Sequence, residues 1–174
     1  MQKRWDMQKV LLWVAVFLSF FGRSLTGDEI TGLWKSVNEE TGKAQCIVAI
    51  YEYDDKFYGR IIGTFDDHEK LNEMIYNPKE RAPGVIGNPF YCGLDIIWDL
   101  VDNGISYKGK ILDPQKGNVY NSELWVEKGY LIVRGKLLFF GRNQKWVPAS
   151  SSDFPKGFKM PKIDAFVPVI PKVN

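Results

Sequence analysis

From Ile30 onward the hydrophobic positions fall in short apolar or alternating runs separated by turn signals, the pattern of a chain built from β-strands. ITGLWKSV (30–37) stops at Asn38-Glu39-Glu40-Thr41-Gly42, and AQCIVAIYEY (44–53) turns at Asp54-Asp55 into KFYGRIIGTF (56–65). LDIIWDLV (94–101) meets Asp102-Asn103-Gly104, and Asn-Gly is a strong hairpin signal into ISYKGKIL (105–112). NVYNSELWV (118–126) turns at Glu127-Lys128-Gly129 into YLIVRGKLLFF (130–140); Gly141 breaks that run, and RNQKWV (142–147) completes eight predicted strands. One segment, Glu69–Tyr76, reads as a short helix with Leu71, Met74 and Ile75 on one side. It lies in a 28-residue break, 66–93, that also holds Pro78, Pro83 and Pro89. Breaks of that length in compact domains are often lids or binding loops.

Eight meandering antiparallel strands have two edges to hide, and closure into an up-and-down barrel removes both. The fold class is therefore all-β: an eight-stranded antiparallel barrel whose interior holds side chains or one small ligand. Strand direction places the 38–43, 66–93 and 113–117 connections, with the Gly141 turn, at one end. The tight turns at 54–55, 102–104 and 127–129 lie at the other.

Both chain ends differ from this pattern. Residues 1–9 are polar and basic, and Val10–Phe21 is a twelve-residue apolar run. At about 1.5 Å per residue such a helix reaches roughly 18 Å, short of a ~30 Å hydrocarbon core. Residues 1–27 are read as a secretory signal peptide, with Met7 as an alternative start and the mature chain beginning near 23–28. The expected location is exported, periplasmic or secreted. The barrel domain is 28–148. Residues 149–174, with prolines at 155, 161, 168 and 171 and four lysines against two aspartates, are read as a disordered, solvated tail. A segment touching an envelope or protein partner is the alternative for that tail.

The 174 residues, 45% hydrophobic and 14% aromatic, suffice for one domain with a sizeable core and exclude wholesale disorder. The net charge of +2 belongs to the leader. Without residues 1–27 the chain holds 19 basic and 20 acidic residues, so no basic field exists for nucleic acid. The expected assembly is a monomer. Cys46 and Cys92, both at the long-loop end in an oxidising compartment, point to a disulfide that would stabilise by about 4 kcal/mol, with two buried small hydrophobes as the alternative.

Gly32-Leu33-Trp34 at the start of the first strand resembles the G-x-W entrance of lipocalins. In that superfamily a basic residue packs across the tryptophan; pairing of the first and last strands puts Trp34 opposite about residue 143, which makes Arg142 the candidate. A wider resemblance spans residues 30–147: ITGLWKS, TGK, IVAIYE, FYGRI, GKILDPQKGNVY and LIVRGKLLFFGRNQKW together resemble the secreted bacterial family catalogued as domain of unknown function 2147. The resemblance implies a signal peptide and a single lipocalin-like barrel. It carries over no reaction and no catalytic residue, and it does not reach the proline-rich tail.

Candidate chemistry is sparse, and no catalytic residue, metal ligand or cofactor is assigned. His68, the single histidine, sits in Phe65-Asp66-Asp67-His68-Glu69, which lacks the spacing of a zinc or calcium site and reads as a solvated acidic loop. No nucleophile turn, P-loop or dinucleotide fingerprint is present. Asp113 and Glu123 as a carboxylate pair are outweighed by the turn chemistry of Asp113-Pro114. Alternation instead directs Leu94, Ile96, Trp98 and Leu100 inward on one strand and Tyr107, Gly109 and Ile111 inward on the next, which makes Trp98 and Tyr107 the candidate ligand-binding residues. Two functions follow. The first is an exported protein holding a small apolar or amphipathic ligand, with 66–93 as a lid. The second is an envelope-structural or interaction module with a solid core. An enzyme ranks third. A connected internal void of at least ~300 Å³ would favour the ligand-binding reading.

Overall fold

The computed structural model describes residues 30–38, 40–137 and 140–173. The predicted signal peptide lies outside the described residues. Nine antiparallel strands form one sheet: β1 (Gly32–Val37), β2 (Ala44–Tyr53), β3 (Lys56–Phe65), β4 (Leu71–Met74), β5 (Asp95–Asp102), β6 (Tyr107–Asp113), β7 (Asn118–Glu127), β8 (Tyr130–Leu137) and β9 (Phe140–Pro148). Eight of them close into the expected barrel, because β1 pairs with both β2 and β9 while β2 also pairs with β3. The ninth, β4, replaces the predicted short helix. It pairs with Gly63–Phe65 at the upper half of β3, where β5 has left to pair only with Phe57–Arg60. An open ladder edge on β3 outweighs the weak helical spacing of four residues.

The hairpin between β8 and β9 reverses between Leu137 and Phe140, so Gly141 is a strand residue opposite Lys136 and not the turn. The closing seam is staggered, as barrel geometry requires. Trp34 faces Pro148, not residue 143, and Arg142 lies six residues away toward the other end of β9. The expected Trp34–Arg142 contact is therefore absent. Trp34 is buried and donates its indole N–H to the Ile30 carbonyl at 2.8 Å.

The tight-turn end of the barrel is filled. Trp34, Phe57, Tyr107, Leu124, Leu131 and Trp146 are all buried there in one cluster, with the Phe57 and Tyr107 rings edge-on at 5.2 Å between centroids. Outside the wall a second cluster joins Ile47, Ala49 and Ile62 to Phe154. This explains why β2 buries five consecutive residues, Ile47 to Tyr51: both of its faces are covered.

The cover is the C-terminal segment. Its prolines keep it out of the sheet, as expected, and it forms only two three-residue 3-10 turns, Ser151–Asp153 and Ile163–Ala165. It is, however, laid on the barrel instead of solvated along its length. Lys35 pairs with Asp153 at 2.6 Å, and Phe154 stacks on Phe158 at 5.0 Å. The Arg60 guanidinium donates to the Val167 carbonyl, and the Ile86 N–H donates to the Lys172 carbonyl, each at 2.8 Å. Aromatic residues at 154, 158 and 166 supply the burial that short apolar patches alone do not suggest.

Candidate functional site

The long-loop end of the barrel opens into a cavity of about 830 Å³. Its apolar lining includes Ile61, Ile96, Ile111, Val133 and Trp146, one residue from each of five strands. Its polar lining gathers at the mouth, with Gln45, Glu80, Tyr91, Gln115 and Arg142. Residues opposite one another in a ladder share a face. The register Arg142–Gly135 and Gln144–Val133 therefore turns Arg142 and Gln144 inward on β9, above Trp146 opposite Leu131.

Neither predicted ligand residue lines this cavity. Tyr107 is part of the filled end. Trp98 is buried but stands opposite Lys110, because register shifts beside Ile97 and between Trp98 and Val101 interrupt the simple alternation of β5. Asp99 has a left-handed φ of 53° within the second irregularity. Period-two reasoning fails across such bulges. Arg142, expected to pack across Trp34, is instead at the cavity.

Several side chains at the site are held in place by defined partners. The Trp146 indole N–H donates to Gln144 Oε1 at 3.1 Å. Ser36 Oγ lies 3.1 Å from Cys46 Sγ and accepts the Cys46 N–H at 3.2 Å. Asp113 Oδ1 accepts from the N–H groups of Gln115 and Lys116, which is the turn role read from Asp113-Pro114. Glu123 points to the other face, where it bonds Ser106 Oγ at 2.9 Å and pairs with Lys136, so it forms no carboxylate pair with Asp113. The cationic partner holds the Glu123 carboxyl below its ordinary value. His68 is exposed in a turn organised by Asp66, and no cluster suited to a metal ion occurs among the described residues.

Cys46 and Cys92 do come near one another beside Thr64, which stands opposite Cys46 and adjoins Cys92. Both thiols are free, so the expected disulfide is not formed in this structure. Burial pushes the Cys46 thiol up to about 11 and Cys92 up to about 12.

The 66–93 segment is more firmly fixed than a lid would be. Leu71 and Ile75 pack with the outer cluster instead of covering the mouth. Glu73 is buried and accepts the N–H groups of Lys79 and Glu80 through Oε2. Gly84 crosses the 113–117 turn so closely that its N–H reaches the Pro114 carbonyl at 3.0 Å, and Tyr91 bonds Gln115 at 3.2 Å. The segment is a fixed rim.

On the outer wall Asp95 forms an ion pair with Arg60 that sequence reading did not find. Its one signal is a charge set in an apolar run on each of two neighbouring strands, Asp95 between Leu94 and Ile96 and Arg60 between Gly59 and Ile61.

Comparison with known proteins agrees with this architecture. The family model described as "Uncharacterized protein conserved in bacteria (DUF2147)" matches residues 32–147. No curated protein matches the chain. A solved Helicobacter pylori protein, described as belonging to the lipocalin family, superposes with a TM-score of 0.55 at 20% identity, covering 72% of this chain and 86% of its own. At that identity the likeness is one of fold.

Proposed function

Because the chain belongs to the DUF2147 family, whose members share a bacterial origin and no assigned activity, we propose its function from the barrel itself: an exported, monomeric protein that holds one small apolar or amphipathic ligand. The observation that carries this reading is the cavity. At about 830 Å³ it is well above the ~300 Å³ that a ligand site needs, and its apolar base and polar mouth are the usual arrangement of small-molecule pockets. The competing reading, a solid barrel acting only through its surface, leaves this volume unused. Export is supported by the basic residues and short apolar run that open the sequence.

Native mass spectrometry of protein purified from its exporting host tests the proposal. The expected spectrum shows one chain with a small-molecule adduct that is lost on unfolding. A bare mass, combined with failure to bind any uncharged apolar probe, overturns it.

A further inference from the structure

Arg142 and Gly135 line the cavity, and the ladder register places Ser122 next to them in the same inward row. Arg142 on β9 stands opposite Gly135 on β8, and Gly135 opposite Ser122 on β7. With neighbouring strands about 4.8 Å apart, Arg142 and Ser122 are roughly 10 Å apart across a residue with no side chain. The space over Gly135 is open: a Cβ placed there would meet only Ile111 Cγ2, at 3.8 Å. The gap is wide enough for a small ligand group, and both neighbours offer donors.

Ser122 is 3% exposed, and its Oγ has no hydrogen-bond partner among the described residues. Buried hydroxyls are ordinarily satisfied, so an orphan beside an open gap marks a place for a water or a ligand atom. Arg142 has no carboxylate within ion-pair distance among the described residues. Two positions further along β9, Gln144 adds a third donor. An indole N–H can only donate, so its bond from Trp146 requires Gln144 to present Oε1 to it, and the amide N–H₂ is left to face elsewhere.

We propose that Arg142, Ser122 and Gln144 form an anion subsite over Gly135, and that the ligand of this barrel is a monocarboxylate amphiphile. This rests on the ligand-binding reading and names its substrate class. A carboxylate fits the planar guanidinium fork and accepts from the serine hydroxyl and the amide together. The chain of such a ligand then lies on Ile61, Ile96, Ile111 and Val133. The two acidic lining residues do not oppose this. Asp113 is occupied by its own turn, and Glu80 stands with Asp113 near Tyr91, whose pKa is raised by burial first and then by these two carboxylates.

Displacement of N-phenyl-1-naphthylamine, an uncharged fluorescent probe, from the mature full-length barrel tests both levels. Decanoate, decanol and decyltrimethylammonium are compared on the unchanged protein, Arg142→Gln and Ser122→Ala. Decanoate is expected to displace the probe at least about tenfold more effectively than decanol. Arg142→Gln should abolish that advantage, and Ser122→Ala should reduce it, with the loss falling on decanoate far more than on decanol or the probe. If the probe binds but decanoate and decanol tie, or the cationic amphiphile wins, the anion subsite is overturned and the cavity reading survives. If neither the probe nor any amphiphile binds, both are overturned.

Discussion

Arg60 and Asp95 meet on the outside of the barrel, Nη2 to Oδ2 at 2.6 Å, with the Asp95 carboxylate sealed beneath the C-terminal segment. The pair is fully bonded. Arg60 Nε donates to Oδ1, Tyr51 donates its hydroxyl to Oδ1 at 2.9 Å, and the Val169 N–H donates to Oδ2 at 2.8 Å. Phe166 lies against the guanidinium, 4.6 Å from ring centroid to Cζ. The segment after the barrel is thus tied to the wall by charge as well as by aromatic burial.

Removing one partner leaves a buried charge uncompensated, which typically costs 3–5 kcal/mol. Arg60→Met and Asp95→Leu should each destabilise by about that amount, whereas the double substitution should cost much less. Deleting residues 163–174 should cost less in Asp95→Leu than in the unchanged protein, because the two changes share contacts. Urea unfolding of the four variants measures this coupling, and strict additivity would contradict the docked segment.

The cysteines give a pH signature. Their ordinary value is 9.0, and the fold raises Cys46 to about 11 and Cys92 to about 12. The folded state therefore retains protons that the unfolded state releases. Their contribution to stability is present in full below pH 9 and is lost as the pH rises through 11 to 12. At pH 8 both thiols should react with iodoacetamide far more slowly in the folded protein than in urea, as followed by mass. Equal rates would show that the thiols are not buried as described.

Trp34 and Arg142 separate a structural role from a cavity role. Trp34→Ala removes a buried indole and should cost about 3–5 kcal/mol. Arg142→Ala removes an exposed side chain with no structural partner among the described residues and should change stability by less than about 0.5 kcal/mol. Thermal or urea unfolding distinguishes them. A large loss at Arg142 would restore the contact across the tryptophan that the register excludes.

The barrel was legible because closely spaced turn signals and alternating runs leave few topologies open, and Asp54-Asp55, Asn103-Gly104 and Lys128-Gly129 all mark real reversals. What failed were the inferences that needed the register at a bulge or at the closing seam, while Ile96 and Ile111 do face the cavity as alternation predicts. Trp98 was misassigned because register shifts in β5 break alternation, and Arg142 because the seam between β1 and β9 is staggered. β4 was missed because a four-residue strand is decided by the free edge of β3 and not by its own pattern. The docking of the C-terminal segment did leave one sign in the sequence. The run Ile47-Val48-Ala49-Ile50-Tyr51 does not alternate, and a barrel strand apolar on both faces needs a cover outside.

Gly84 and Gly135 are both glycines near the cavity, and they should respond oppositely to alanine. A Cβ on Gly84 would fall 2.1 Å from the Gly117 nitrogen and 2.7 Å from the Lys116 carbonyl carbon. These are backbone atoms that no rotamer change moves aside, so Gly84→Ala must push the 66–93 segment off the 113–117 turn and break the Gly84–Pro114 hydrogen bond. A loss of about 1–3 kcal/mol is expected, in line with other forced overpacking. Gly135 has no such neighbour, and an alanine there costs no close contact while reducing chain freedom in the unfolded state, so stability should hold or rise by up to about 1 kcal/mol. The same methyl projects into the gap between Arg142 and Ser122, and a bulkier Gly135→Val should close it. Unfolding curves combined with decanoate displacement read both effects. If Gly135→Val keeps both its stability and its full preference for decanoate over decanol, the headgroup does not sit over Gly135.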